Sequence, residues 1–128
     1  MRIEQIKLSQ TAKEQLIKLK RRTGLKNWNV LCRWALCRSL AEGTAPSPVP
    51  IPADSSVEMD WKTFAGPYGA VYLALLRQRC QRDGVELDES GSALNQQFRL
   101  HLHRGIAYLA GDKQLQSIED LVAYGCPR

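Results

Sequence analysis

The sequence predicts a mainly α protein, a compact helical domain opening on one short strand, and three stretches carry that prediction. Val30 to Ala41 sets nine apolar residues against Arg33, Arg38 and Ser39, which leaves no wide polar face at 3.6 residues per turn, so the helix should be buried. Thr11 to Arg22 has the opposite character, apolar along one side and basic along the other. Leu94, Phe98, His101, Leu102, Gly105, Ile106 and Leu109 recur at helical spacing, the stripe of a core helix. At about 12 residues the first stretch is too short to span a bilayer. It must be covered by the rest of the chain or by a second copy.

Taken in order, Arg2 to Leu8 is partly β-branched and reads as a strand, which needs a mate within the chain or from another subunit. Ser9 or Thr11 caps the following helix, and Thr11-Ala12-Lys13-Glu14 has capping-box spacing. Ala12, Leu16 and Leu19 form its inner face; Lys18, Arg21 and Arg22 stand opposite, with Lys13 and Lys20 on the flank. Thr23-Gly24-Leu25 then stops it as a Schellman turn, with glycine left-handed and leucine folding back. Asn27 or Asn29 caps the buried helix and Trp28 packs beside that cap.

Prolines at 46, 48, 50 and 52 make the next segment extended and unable to join a helix. They lack P-x-x-P spacing, so the segment reads as a connector. Val57, Met59 and Trp61 alternate with Glu58, Asp60 and Lys62 as a brief strand or extended stretch. Pro67 suits a first helical turn, and Tyr68 to Arg82 follows as a second strongly apolar helix with Arg77, Arg79 and Arg82 near its C-terminus, where cations suit the dipole. The acids from Asp83 to Glu89 lack the order of a calcium loop and read as a solvated connector. The core helix starts near Ser92. Its His101 lies on the apolar stripe as a core residue, whereas His103 lies off it near Arg99, where phosphate contact is the functional reading. Ser117 caps a last short helix, Ile118 to Tyr124.

At 128 residues and 44% hydrophobic, the chain reads as a single domain over residues 1–128: a strand-helix-helix unit over 1–43, a proline-rich connector over 44–60, and a helical remainder over 61–128. The net charge of +5 is unevenly placed. Residues 1–38 carry ten bases and two acids, and the remainder is mildly acidic. Such a distribution points to an anionic polymer, nucleic acid before membrane. Cys32, Cys37, Cys80 and Cys126 show no zinc spacing and read as reduced structural thiols. No apolar run and no leader pattern is present, so the cytoplasm is the expected compartment. No phosphate loop, nucleophile elbow or H-E-x-x-H appears, so no catalytic residue, metal ligand or cofactor is assigned.

Two longer patterns add to this reading: Leu8-Ser9-x-Thr11-Ala12-Lys13-Glu14-x-Leu16-x-x-Leu19-Lys20-x-x-Thr23-Gly24, continuing through Trp28-Asn29-Val30-Leu31-Cys32-Arg33-Trp34-Ala35, and Trp61-Lys62-x-Phe64-x-Gly66 with His101-x-His103-Arg104-Gly105. Through these the chain resembles the DndE family of the bacterial DNA phosphorothioation systems, which replace a non-bridging backbone oxygen by sulfur. The resemblance implies a small helical protein without catalytic activity of its own, a homo-oligomer with a tetramer expected, that binds DNA with nicked duplex preferred. It also implies DndC and DndD type proteins as companions. The strand-helix-helix start is similar to ribbon-helix-helix regulators, in which strands of two subunits pair in the major groove.

The resulting expectation is a non-catalytic subunit that contacts double-stranded DNA through Lys13, Lys18, Lys20, Arg21, Arg22 and Lys26, without sequence readout. The runner-up is a ribbon-helix-helix-like transcription regulator; a weak metal-dependent nickase is third. Failing the basic helix, the DNA surface would be sought around Arg77, Arg79, Arg82, Arg99 and Arg104.

Overall fold

Ile6 and Met59 are the inward residues of two three-residue strands that alternate exposed, buried, exposed. In the computed structural model, which describes residues 3–124, β1 (Gln5–Lys7) and β2 (Glu58–Asp60) pair antiparallel with Ile6 opposite Met59. The first strand therefore finds its mate inside the chain. Of the two sources the sequence left open for that mate, the chain itself supplies it, where a ribbon-helix-helix protein takes it from a second subunit.

Helix α1 (Gln10–Thr23) is capped by Ser9, whose Oγ accepts from the Ala12 N–H at 3.0 Å. Thr11 lies inside the helix, so the capping box read from Thr11 and Glu14 is not formed. Ala12, Leu16, Leu19 and Thr23 are its buried face. Gly24 ends it in the left-handed conformation, φ 76°, donating to the Lys20 carbonyl; this single bond is the simpler left-handed stop rather than the paired bonds of a Schellman turn, and Leu25 donates to Thr23 Oγ1 at 3.2 Å and packs back on the core.

Helix α2 (Trp28–Leu40) starts after Asn27, which makes no side-chain cap bond. Asn29 instead donates to the Thr63 carbonyl at 3.1 Å. Leu31, Cys32, Ala35, Leu36 and Ser39 are buried, while Cys37 is exposed and Trp34 half-buried. The burial expected all round is thus incomplete on one side.

The segment read as extended through Lys62 turns helical earlier. Asp60 accepts from the Thr63 N–H at 2.7 Å and so caps α3 (Trp61–Ala65), a helix the alternation at 57–61 concealed. Pro67 sits in a single 3-10 turn, Gly66–Tyr68, and α4 (Gly69–Arg82) follows. Only Leu76, Arg79 and Cys80 of α4 are buried; Val71 and Leu75 are 54% and 41% exposed. Its apolar sequence therefore has an uncovered side.

Helix α5 (Ser92–Gly111) buries the whole stripe read from the sequence, and α6 (Ile118–Ala123) is capped by Ser117. The core gathers where α2, α1 and α4 pack on α5 and the sheet closes one end. Phe64, Phe98, Trp61 and Tyr72 form an aromatic cluster there, with Phe64 and Phe98 edge to face at 5.2 Å, the geometry that ring quadrupoles favour. No helix among the described residues is long and apolar enough to cross a membrane.

Candidate nucleic-acid interface

Three- and four-residue spacing puts Lys18 on the side of α1 away from Ala12, Leu16 and Leu19, with Arg21 one turn further on and Lys26 just past the Gly24 turn. In the structure Lys18, Arg21 and Lys26 are exposed. No hydrogen bond or ion pair to another described residue involves them. The α1 C-terminus, with Lys20, Arg21 and Arg22 in its last turn, is thus a cationic end aimed at solvent. Exposed bases held on a helix can meet backbone phosphates at small ordering cost.

The other three residues of the set are engaged. Lys13 donates to Ser56 Oγ at 2.9 Å, and Lys20 Nζ lies 3.4 Å from the centroid of the Trp28 ring, a cation–π contact. Arg22, placed opposite the core by its helical position, turns along the surface and donates to the Ala110 carbonyl at 2.9 Å. It satisfies an orphan carbonyl at the end of α5. Side-chain length decides this difference, since a guanidinium reaches a neighbouring helix that the wheel does not show.

The alternative set around Arg77, Arg79, Arg82, Arg99 and Arg104 is mostly consumed inside the fold. Arg79, 4% exposed, donates to the Leu40 and Thr44 carbonyls at 2.8 and 2.6 Å and pairs with Asp83 at 2.9 Å. Arg104 donates to Ser39 Oγ, the Ser39 carbonyl and the Thr44 carbonyl at 2.8, 2.9 and 2.8 Å. Arg99 donates to the Ile51, Lys7 and Pro52 carbonyls. These arginines fasten the proline-rich stretch ahead of β2, donating to carbonyls at Thr44, Ile51 and Pro52 that lie outside the sheet. Arg33 does the same for α3, donating to the Phe64 and Thr63 carbonyls. A proline-rich segment facing many arginines was the available signal for such clamps.

Both histidines are structural. His103 Nε2 accepts from the Ser9 N–H at 3.2 Å, so Nδ1 carries the proton toward the Arg99 carbonyl at 2.8 Å. With both ring nitrogens used, His103 is not a phosphate contact, which corrects that reading. Burial, with the Arg99 cation beside it, lowers its pKa. His101 is fully buried, with Nδ1 2.9 Å from Ser39 Oγ and Nε2 unpartnered. Burial, then Arg104 and Arg79, push its pKa down to about 4. Burial likewise pushes the Cys32 thiol up to about 12, leaving it inert; Cys126 lies outside the described residues. Among the described residues no cluster of three or more His, Cys, Asp or Glu could hold a metal ion.

Fold and surface together define a small, mostly helical protein with a two-stranded sheet and a cationic helix end on which Lys18 and Arg21 stand exposed. Comparison with known proteins makes this specific. The chain belongs to the DndE family: the family model described as DNA sulphur modification protein DndE matches residues 5–117. It is similar to the crystal structure of DndE from Escherichia coli B7A, involved in DNA phosphorothioation modification, with 27% identity over 85% of this chain and 98% of that chain and a TM-score of 0.70. A DndE variant with glycine-to-lysine substitutions, involved in DNA phosphorothioation, shares the fold at 24% identity, with the same coverage and a TM-score of 0.64. Among curated proteins there is no match.

Proposed function

We propose that this protein is a non-catalytic DNA-binding subunit of a bacterial phosphorothioation complex, working with DndC and DndD type proteins. It contacts the duplex backbone, and nicked duplex is the preferred form that the family resemblance implies. The observation that carries this reading is the outward, unpartnered trio Lys18, Arg21 and Lys26, in a chain whose first 38 residues hold ten of its 18 bases. Lys13, Lys20 and Arg22 flank the trio and add to its field. Exposed lysine and arginine ends of this kind are read here as phosphate contacts without sequence readout.

The test is DNA affinity against salt. Binding should fall log-linearly with salt concentration, and Lys18→Glu, Arg21→Glu and Lys26→Glu together should flatten the slope by about 2.7, from about 0.9 per lost contact. The loss should be equal for unrelated sequences, with unchanged helical content. A triple variant that binds as tightly as the parent would remove the proposal.

A homo-oligomer, with a tetramer expected, belongs to the same reading. Tyr108, Val122 and Tyr124 are exposed apolar surface at the α5–α6 end, and Tyr68 at the start of α4 is 60% exposed. A closed tetramer with twofold symmetry buries two kinds of interface.

A further inference from the structure

Lys20 is held in place without giving up a hydrogen-bond donor. Its Nζ lies 3.4 Å from the centroid of the Trp28 ring, close for a contact that extends to about 6 Å. No hydrogen bond or ion pair to another described residue involves it. The other engaged bases of the set are tied differently: Lys13 donates to Ser56 Oγ and Arg22 to the Ala110 carbonyl, so each has an N–H committed to an oxygen of the fold. An ammonium carries three N–H donors. On a ring face, those turned away from the indole stay open to an outside acceptor.

The chain offers Lys20 a ring where a carboxylate is the commoner partner. From Gln15 to Ala41 it has seven bases and no acid, so the rest of α1, the Gly24 turn and α2 contain no carboxylate to pair with it. A carboxylate would fix the ammonium and cancel its charge; an indole fixes it and leaves the charge whole. Dipole compensation asks for less, since Arg21 and Arg22 stand in the same last turn and a cation there needs no fixed position to act. Lys20 and Trp28 are both half-buried and both reach solvent. A lysine stem loses rotamer freedom when its head meets a phosphate, and ordering the stem beforehand removes that cost from binding. Lys18, Arg21 and Lys26 are exposed and carry no such constraint.

We propose that Trp28 is a positioning residue for DNA contact: it holds the Lys20 ammonium, still fully charged, at the corner between α1 and α2 as a pre-ordered phosphate ligand. The assignment rests on the reading of the basic end of α1 as a duplex-backbone surface. It adds to that surface a residue that has no charge of its own.

The test is duplex affinity of the full chain against salt, for the parent, Lys20→Met, Trp28→Leu and the two combined. Lys20→Met keeps an unbranched stem on the ring and should flatten the slope by about 0.9, one phosphate contact. Trp28→Leu should weaken binding about fivefold, the scale of a partly exposed cation–π contact, at unchanged slope, because the same phosphates are still met. In the Lys20→Met chain, Trp28→Leu should weaken binding no further, as a coupled pair requires. Trp28→Phe, which keeps an aromatic face, should retain most of the affinity. Circular dichroism and urea midpoints check the fold of each variant. A measurement that needs no change at Trp28 is the Lys20 ε-methylene NMR signal, assigned by its loss in Lys20→Met. It should lie upfield under the ring current and stay there when duplex is added.

The proposal is overturned if Trp28→Leu weakens binding equally with and without Lys20, the result of a ring that only packs the corner. It is also overturned if Trp28→Leu binds as the parent does, if Trp28→Phe is no better than Trp28→Leu, if Lys20→Met leaves the slope unchanged, or if the Lys20 signal returns to the free-lysine position on duplex. A parent chain that binds no duplex removes the DNA reading and this assignment with it. A Lys18, Arg21 and Lys26 triple variant that loses binding, in a chain without Lys20–Trp28 coupling, removes this assignment alone.

Discussion

Gly105 of α5 crosses α2 so closely at Ala35 that a Cβ added to the glycine would stand 1.7 Å from the Ala35 carbonyl oxygen. The obstacle is backbone, which cannot rotate aside as a side chain can. Gly105→Ala gains about 1 kcal/mol of helix propensity, and the overpacking cost should exceed that gain, for a net loss of about 3 kcal/mol. Thermal unfolding should show a fall in Tm of about 10 °C for a chain of this size. An unchanged Tm would mean that the helices can separate without cost.

Neighbouring arginines on α1 should behave differently. Arg22→Ala leaves the Ala110 carbonyl without its donor and should cost about 1 kcal/mol of stability. Arg21→Ala, at an exposed site without a partner, should stay within about 0.5 kcal/mol of the parent and reveal itself in DNA affinity. Equal denaturation midpoints for the two would contradict the roles assigned to them.

The histidines set a pH dependence of definite sign. His101 and His103 both have pKa values lowered by burial, so the unfolded chain binds their protons first as pH falls. The stability they contribute is fully present above the unfolded value of about 6.5 and is lost on acidification, for His101 down to its folded value of about 4. Between pH 7 and 5 His101 alone should remove about 2 kcal/mol. Urea midpoints should fall over that range, and His101→Gln should reduce the slope. A midpoint that rises on acidification would reverse the assignment.

Self-association should be visible by sedimentation at micromolar concentration, with little monomer of 14.4 kDa. The apolar surface left at α4 and at the α5–α6 end is the reason. A clean monomer would mean that these faces remain wet or wait for a different partner.

Periodicity in the chain was enough to determine where most helices run and which side of each is apolar. The stripe from Leu94 to Leu109, the face Ala12, Leu16 and Leu19 and the Gly24 stop all follow from local residue chemistry that any fold must respect. Tertiary structure alone decided what long polar side chains do. Arg79, Arg99 and Arg104 became clamps on a connector because their guanidinium groups reach carbonyls that lie 35 or more residues away in sequence, and no local pattern records such a meeting. The same holds for β1, whose mate lies some 50 residues on, and for the division of the basic helix. Lys18 and Arg21 face water, while Lys20 finds Trp28 and Arg22 finds the end of α5. Sequence specifies a residue's charge and its side of a helix; whether that charge remains free for an outside partner depends on which distant carbonyl or ring the packed chain brings within reach.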